Sequence, residues 1–392
     1  MILYNIRLLP ELSGGISAEH GYLEIQAGKI KMVSAAKLTV IPANAINCHG
    51  MTLLPGFFDL HTHLDLLSFS TDCQGEPFEM LVKSAKQANR YLEHGFTTVR
   101  ICGSQYRISQ YVKEMVEQGS INGPRILSAG KILGTSAKEK NSGIDELDYF
   151  QDGPWAFVRA ARKEFAYGAD FIKIYASGSA FNPTGIPLNP IMTNEEISAA
   201  VRAATEANSY VAAHAHADQA IRDCIECGVR TVEHGTYMSQ ATLNLLMRAL
   251  DCFWIPTLSA MFVSQTEPNE RQFWLNRLQP MLEQTSNILN QAYEAGAMLG
   301  FGTDSAPNGK QYASGIEFQY RQKYAKMKNI DILLQATKNS AAIVGFAGEK
   351  GELKVSYDAD LVLIDGNPAE NLSVLSHQPK SVWKGGKLVY SN

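Results

Sequence analysis

Hydrophobic and polar positions follow two rhythms along the chain. Residues 1–50 carry short apolar or alternating runs broken by Gly, Asn and Pro: MILYNIRLL, HGYLEIQAGKIKMVSA and TVIPANAINCHG. The stretch from 352 onward reads the same way, in ELKVSYDADLVLIDGNP and PKSVWKGGKLVYS. Such runs, bounded by turn residues, predict short strands at both ends. From about 56 to 345 the rhythm changes. The β-type runs FTTVRICG, PRILSAG, DFIKIYASG, YVAAHAHA, RTVEHG, CFWIPTL and MLGFGTD alternate with helical segments such as PWAFVRAARKEFAYG and TNEEISAAVRAATEAN. Thr193, followed three residues on by Glu196, predicts a capping box at the start of the second of these helices.

Seven or eight βα units in series predict a parallel sheet with helical crossovers. Eight such units closed on themselves occupy about 250 residues. A doubly wound sheet would require a GxGxxG turn after an early strand, and the sequence has none there. The expected fold class is therefore α/β: a (β/α)8 TIM-type barrel over 56–349, beside a small composite β domain formed by both chain ends, 1–55 plus 350–392.

Composition adds exclusions. The chain has 392 residues, 45% hydrophobic and 19% charged, enough to bury a core without disulfides. Its net charge is −4 and it has no long basic run, so neither nucleic acid nor an anionic membrane surface is an expected partner. The six cysteines, at 48, 73, 102, 224, 227 and 252, form no disulfide framework. Cys224 and Cys227 make a CxxC inside an apparent helix, QAIRDCIECGV; without a second pair this reads as a buried helix face rather than a zinc or redox site. With no basic-then-apolar leader and no 18-residue apolar stretch, a cytoplasmic protein is expected.

In a barrel of this kind, chemistry sits at the carboxyl ends of the strands. FFDLHTHLD ends the first strand with His61 and His63, which alternation turns to one side. FIKIY carries Lys173, YVAAHAHA brings His214 and His216, RTVEHG brings His234, and MLGFGTD ends in Asp304. Each alone has an ordinary structural reading: a hydrogen-bonded histidine, a snorkelling lysine, a turn aspartate. Together they converge on one rim, and imidazoles with a carboxylate suit zinc and its neighbours. A buried Lys173 ammonium beside histidines and a divalent metal would be desolvated and repelled, and would lose its proton. A neutral amine can add carbon dioxide to become a carbamate, an anionic ligand able to bridge metals ~3.5–4 Å apart.

The ordered set LLPGFFDLHTHL, GFTTVR, GADFIKIYASG, AHAHADQAI, GVRTVEHGT, FGTDS and DADLVLIDGNP resembles the amidohydrolase superfamily, in the branch holding imidazolonepropionase-like proteins and metal-dependent prolidase-type (Xaa-Pro) dipeptidases. The resemblance runs from about residue 50 to 370. It implies two divalent ions, with zinc expected. His61, His63 and Asp304 would hold the more buried one; His214 and His234 the second; Lys173, as N6-carboxylysine, would bridge them. His214 is preferred to His216 because it lies forty-one residues after Lys173 and twenty before His234, spacings like the family's. His216 is left to support the ligands or touch substrate. Asp304 would act as general base and then general acid toward a metal-bridging hydroxide. Tyr237 would donate to the oxyanion or pack at a helix start.

The resemblance implies hydrolysis of an amide bond in a small molecule with a carboxylate, a dipeptide or N-acyl amino acid, by a homo-oligomer. Carboxyl-ester, phosphonate or phosphotriester cleavage by the same site, an imidazolone-type cyclic amide hydrolase and a non-catalytic assembly relative are the alternatives. Three loops depart from the family. KILGTSAKEKNSGIDELDYF lacks a glycine–histidine motif, SGS places Ser179 where a glycine is usual, and TTVRICGSQ lacks an aspartate after the strand. Such loops form the specificity wall. Ser179 and Arg100 are candidate substrate contacts, with a structural salt bridge as the other role for Arg100.

Overall fold

The computed structural model describes residues 1–65, 76–137, 148–179, 189–261, 268–305 and 315–392. Among these, an eight-stranded sheet draws on both chain ends. Ile2–Leu8, Ala18–Gln26, Lys29–Ser34, Ala45–Asn47 and Thr52–Pro55 come from one end, and Leu361–Ile364, Ser381–Lys384 and Lys387–Ser391 from the other. Thr52–Pro55 is the seam, antiparallel to Leu361–Ile364 with Leu54 opposite Val362. The alternating apolar positions of these strands meet in one core that includes Leu3, Ile6, Leu23, Leu53, Leu361 and Trp383. Against this sheet lies a buried ionic cluster: Lys350 Nζ is 2.5 Å from both Asp358 Oδ2 and Asp360 Oδ2.

The rest is a parallel α/β arrangement. Phe57–Thr62, Phe96–Ile101 and Arg125–Ser128 form one ladder. Ile132–Gly134, Asp148–Phe150, Ile172–Tyr175, Val211–Ala215, Thr231–His234 and Phe253–Ile255 form another. These strands are short, near-continuous apolar runs because helices cover one face and the packed interior the other. Helix Asn194–Glu206 begins as its sequence predicts: Thr193 Oγ1 accepts from Glu196 N at 3.3 Å, and Glu196 Oε2 accepts from Thr193 N at 2.9 Å. Register then levels the strand ends, setting Tyr175 opposite His214 and Ala215 opposite His234.

The run MLGFGTD departs from its expectation of a regular strand. Residues 299–305 make isolated bridges instead, Leu299 to Trp254 and Ser305 to Thr62. Gly300 N donates to Trp254 O at 3.0 Å, and Leu60 N donates to Phe301 O at 2.7 Å, so the segment links the two ladders. Glycine permits this approach, since a Cβ on Gly302 would sit 2.9 Å from the Cβ of His61. Across the other gap, Asp170 N donates to Ser128 O at 2.8 Å. Cys224 is buried within helix Asp218–Glu226 and Cys227 caps it; the described cysteines are free thiols, and Cys73 lies outside the described residues. Among the described residues no helix is long and apolar enough to cross a membrane.

Candidate metal centre

The strand ends converge on a single cluster of imidazoles. Donor atoms of His61, His63 and Asp304 all lie within 4.8 Å of one another, as do those of His214, His216 and His234. The two groups touch: the His61 and His234 rings are 4.7 Å apart, and His234 Nδ1 is 4.0 Å from Asp304 Oδ2. Two of these residues leave their strands in a left-handed conformation, His234 at φ 67° and Asp304 at φ 52°. Such backbone costs about 1–3 kcal/mol for a non-glycine residue and collects at functional sites. Here the bend turns Asp304 toward His61 and His63, with Nε2–Oδ1 separations of 3.4 and 3.3 Å. Asp59 holds the approach, accepting from Thr303 Oγ1 at 2.6 Å and from His61 N at 3.1 Å.

Hydrogen bonds select the free nitrogen on most of these rings. His61 Nδ1 meets Glu233 Oε2 at 2.7 Å and His63 Nδ1 meets the Gly103 carbonyl at 3.2 Å. Carboxylate and carbonyl only accept, so both Nδ1 atoms carry a proton, and Nε2, the nitrogen that faces Asp304, is the one a cation would take. On His214 it is Nε2 that meets a carbonyl, Gly178 O at 3.1 Å, which leaves Nδ1. His234 and His216 each place Nδ1 on a threonine hydroxyl, Thr257 at 2.8 Å and Thr236 at 2.7 Å. Burial holds His63, His214, His216 and His234 neutral by lowering their pKa, that of His216 to about 3. Burial opposes ionisation of Asp304 too, but the charge and hydrogen bond of His61, then the hydrogen bond of His63, outweigh it and hold the carboxyl well below its usual range.

Lys173 stands on the adjoining strand, buried, its pKa lowered by desolvation. Its Nζ has no hydrogen-bond partner among the described residues. An amine enclosed without an acceptor, beside imidazoles and an ionised carboxylate, fits a site whose missing partner comes from outside the chain, as a metal centre requires. These clusters can hold metal.

The other expected site residues are placed as follows. Tyr237 is half-buried, its amide donating to His216 O at 3.0 Å and its ring packed on Leu278 and Met281. Ser179 is half-buried beside Gly178, whose carbonyl meets His214. The altered loops fall largely in 138–147 and 180–188, outside the described residues. Arg100 is corrected. It is 0% exposed, beneath the rim, with Nη2 2.6 Å from Glu233 Oε1 and Nη1 2.9 Å from Thr231 Oγ1. Its fork is spent inside the protein, so it makes no substrate contact and the salt-bridge role is the one it fills. Sequence reading passed over its partner Glu233. The available signal was a carboxylate lodged in an apolar run, the same signal that singles out Lys173.

The Amidohydrolase family profile matches residues 52–389. Ochratoxinase of Aspergillus niger is 26% identical over 370 residues, covering 86% of this chain and 75% of that protein. A prolidase solved with N-methylphosphonate-L-proline superposes with TM-score 0.87 at 29% identity, covering 100% of this chain and 99% of the other. A Xaa-Pro dipeptidase with methionine in its active site gives TM-score 0.88 at 27% identity, with 100% and 99% coverage. The chain thus belongs to the amidohydrolase family and is a hydrolase acting on amide bonds.

Proposed function

We propose that the protein is a two-metal amidohydrolase that cleaves the amide of a small molecule bearing a free carboxylate, a dipeptide or N-acyl amino acid. The reading includes a closed (β/α)8 barrel over 56–349, with residues 299–305 as its eighth stave, and a separate small domain from 1–55 and 350–392. The observation that carries it is the partnerless Lys173 amine set among histidines and Asp304. His61, His63 and Asp304 would hold one ion, His214 and His234 the other, and Lys173, as N6-carboxylysine, both. The relatives support the substrate class: one is named for ochratoxin, two for prolyl peptides.

Divalent ions, zinc by the donor set, supply an activated water nucleophile at neutral pH and polarise a carbonyl. Asp304 Oδ1 is the oxygen nearer His61 and His63, at 3.4 and 3.3 Å, so Oδ2 would be the atom that takes the proton from water and returns it to the leaving nitrogen. His216, stacked on His234, and Tyr237 would meet the scissile group from that side, and Ser179, beside Gly178, would contact the substrate. The test is a screen of metal-loaded protein against dipeptides, N-acyl amino acids and esters. Hydrolysis of carboxylate-bearing amides, lost on chelation and restored by zinc, is expected. A protein that retains no divalent ion and cleaves none of them would overturn the reading.

A further inference from the structure

Five histidines meet at the site, and four of them lean on neutral groups. His63 and His214 lean on backbone carbonyls, His216 and His234 on threonine hydroxyls. Setting aside Asp304 within the cluster, His61 is the one whose partner among the described residues is an anion, Glu233 Oε2 at 2.7 Å. The other carboxylate oxygen, Oε1, accepts from Arg100 Nη2 at 2.6 Å and from Thr231 Oγ1 at 2.6 Å. Arg100 Nε also donates to the carbonyl of Leu60, the residue before His61. Arg100 therefore grips the His61 backbone on one side and the His61 ring, through Glu233, on the other. All three side chains are buried, so water does not substitute for any of these bonds.

We propose that Glu233, clamped by Arg100, is the positioning residue that fixes the tautomer and orientation of His61 and so sets the affinity of the site for its first divalent ion. The proposal rests on the two-metal reading above. A carboxylate accepts from Nδ1 and does not donate, so Nδ1 keeps its proton and Nε2, which faces Asp304, is the nitrogen that an ion there would take. Its charge raises the basicity of the ligand, which neither a carbonyl nor a hydroxyl does to the same degree. Arg100 keeps that charge in place and compensates it, which a lone buried carboxylate would lack. The arrangement makes the two ion positions unequal, with the tighter one at His61.

The experiment uses the full-length protein stripped of metal and titrated with zinc, and separately cobalt, against a chromophoric chelator. Glu233→Gln is expected to weaken binding of the first ion about 10–100-fold and to alter the visible cobalt spectrum. Thr257→Val, which removes the hydroxyl on His234, is expected to change first-ion affinity less than about 3-fold, below the range typical of a ligand's outer partner. Arg100→Met should act in the same direction as Glu233→Gln, and the double variant should lose less than the two single losses combined, because Arg100 acts on the His61 ring through Glu233. The double variant also removes both charges of the buried pair, so it carries the test if a single variant fails to fold. Wild-type affinity and spectrum in Glu233→Gln, or additive effects in the double variant, would overturn the proposal. A wild-type protein that binds no ion would instead overturn the two-metal reading.

Discussion

Among the described residues two lysines are buried, in two regions, and they are treated oppositely. Lys350, against the sheet of the chain ends, sits 2.5 Å from each of two carboxylates, Asp358 and Asp360. Lys173, on the parallel strands, has no hydrogen-bond partner for its amine among the described residues. Burial alone is hostile to both. In the first region evolution has supplied counter-charges, and the lysine is part of the scaffold. In the second no acceptor meets the amine, and desolvation outweighs the nearby Glu233 and Asp304 carboxylates and pushes it toward its uncharged form. An uncompensated group that persists in a packed interior marks chemistry, and a compensated one marks structure. Arg100 obeys the same rule: fully paired with Glu233, it is not a substrate contact.

Four experiments bear on this contrast. The largest effect is expected at the reactive end of the cluster, where Asp304→Asn should lower kcat about 10²–10⁴-fold with the melting temperature nearly unchanged. Steady-state turnover at saturating metal measures it, and full activity would move the proton-transfer role elsewhere. Next, Lys350→Met leaves the buried Asp360 carboxylate without its cation and Asp358 with only the exposed Lys29, and should cost about 3–5 kcal/mol in urea unfolding, with metal uptake by the folded fraction retained.

A pH effect follows from the lowered pKa values of His63, His214, His216 and His234. Below about 6.5 the unfolded chain takes up protons that the folded one refuses. The metal-free protein should therefore lose stability as pH falls below that value, by up to about 1.4 kcal/mol per unit for each such histidine. Thermal melts between pH 7.5 and 5.5 measure this, and a flat profile would break the claim that these four rings are held neutral. The smallest effect belongs to Lys173→Met. Without metal it should leave stability unchanged or raise it by up to about 1 kcal/mol, since it removes an unpartnered buried amine. Its bound-metal content should nonetheless collapse. A large loss of stability would show that Lys173 belongs with Lys350 as a structural group.

Much of the site was legible because strand ends write their chemistry into otherwise apolar runs. The histidine pairs, His234, Asp304 and Lys173 each stand out in that way. The capping box at Thr193 was readable because it depends on residues three apart, and the same locality makes helix starts tractable. What stayed hidden depends on long-range placement. Arg100 and Glu233 come from strands 133 residues apart in sequence, and nothing local reveals that they meet. The irregular path of 299–305 was hidden too, because it arises from the closeness of Gly302 to His61, a contact between opposite ends of the parallel region.

The seam of the terminal sheet carries a consequence for the protein's birth. Thr52 Oγ1 and Gly366 O are 2.6 Å apart in space and 314 residues apart along the chain. At roughly 5–20 residues per second, a ribosome needs about 15–60 s to cover that distance. Throughout that interval the nascent chain holds Leu53 and Leu54 on a strand whose antiparallel neighbour, Leu361–Ile364, has not been made. Messages cut short before that last strand would release chains with an unpaired hydrophobic edge, the kind of surface that chaperones and proteases recognise.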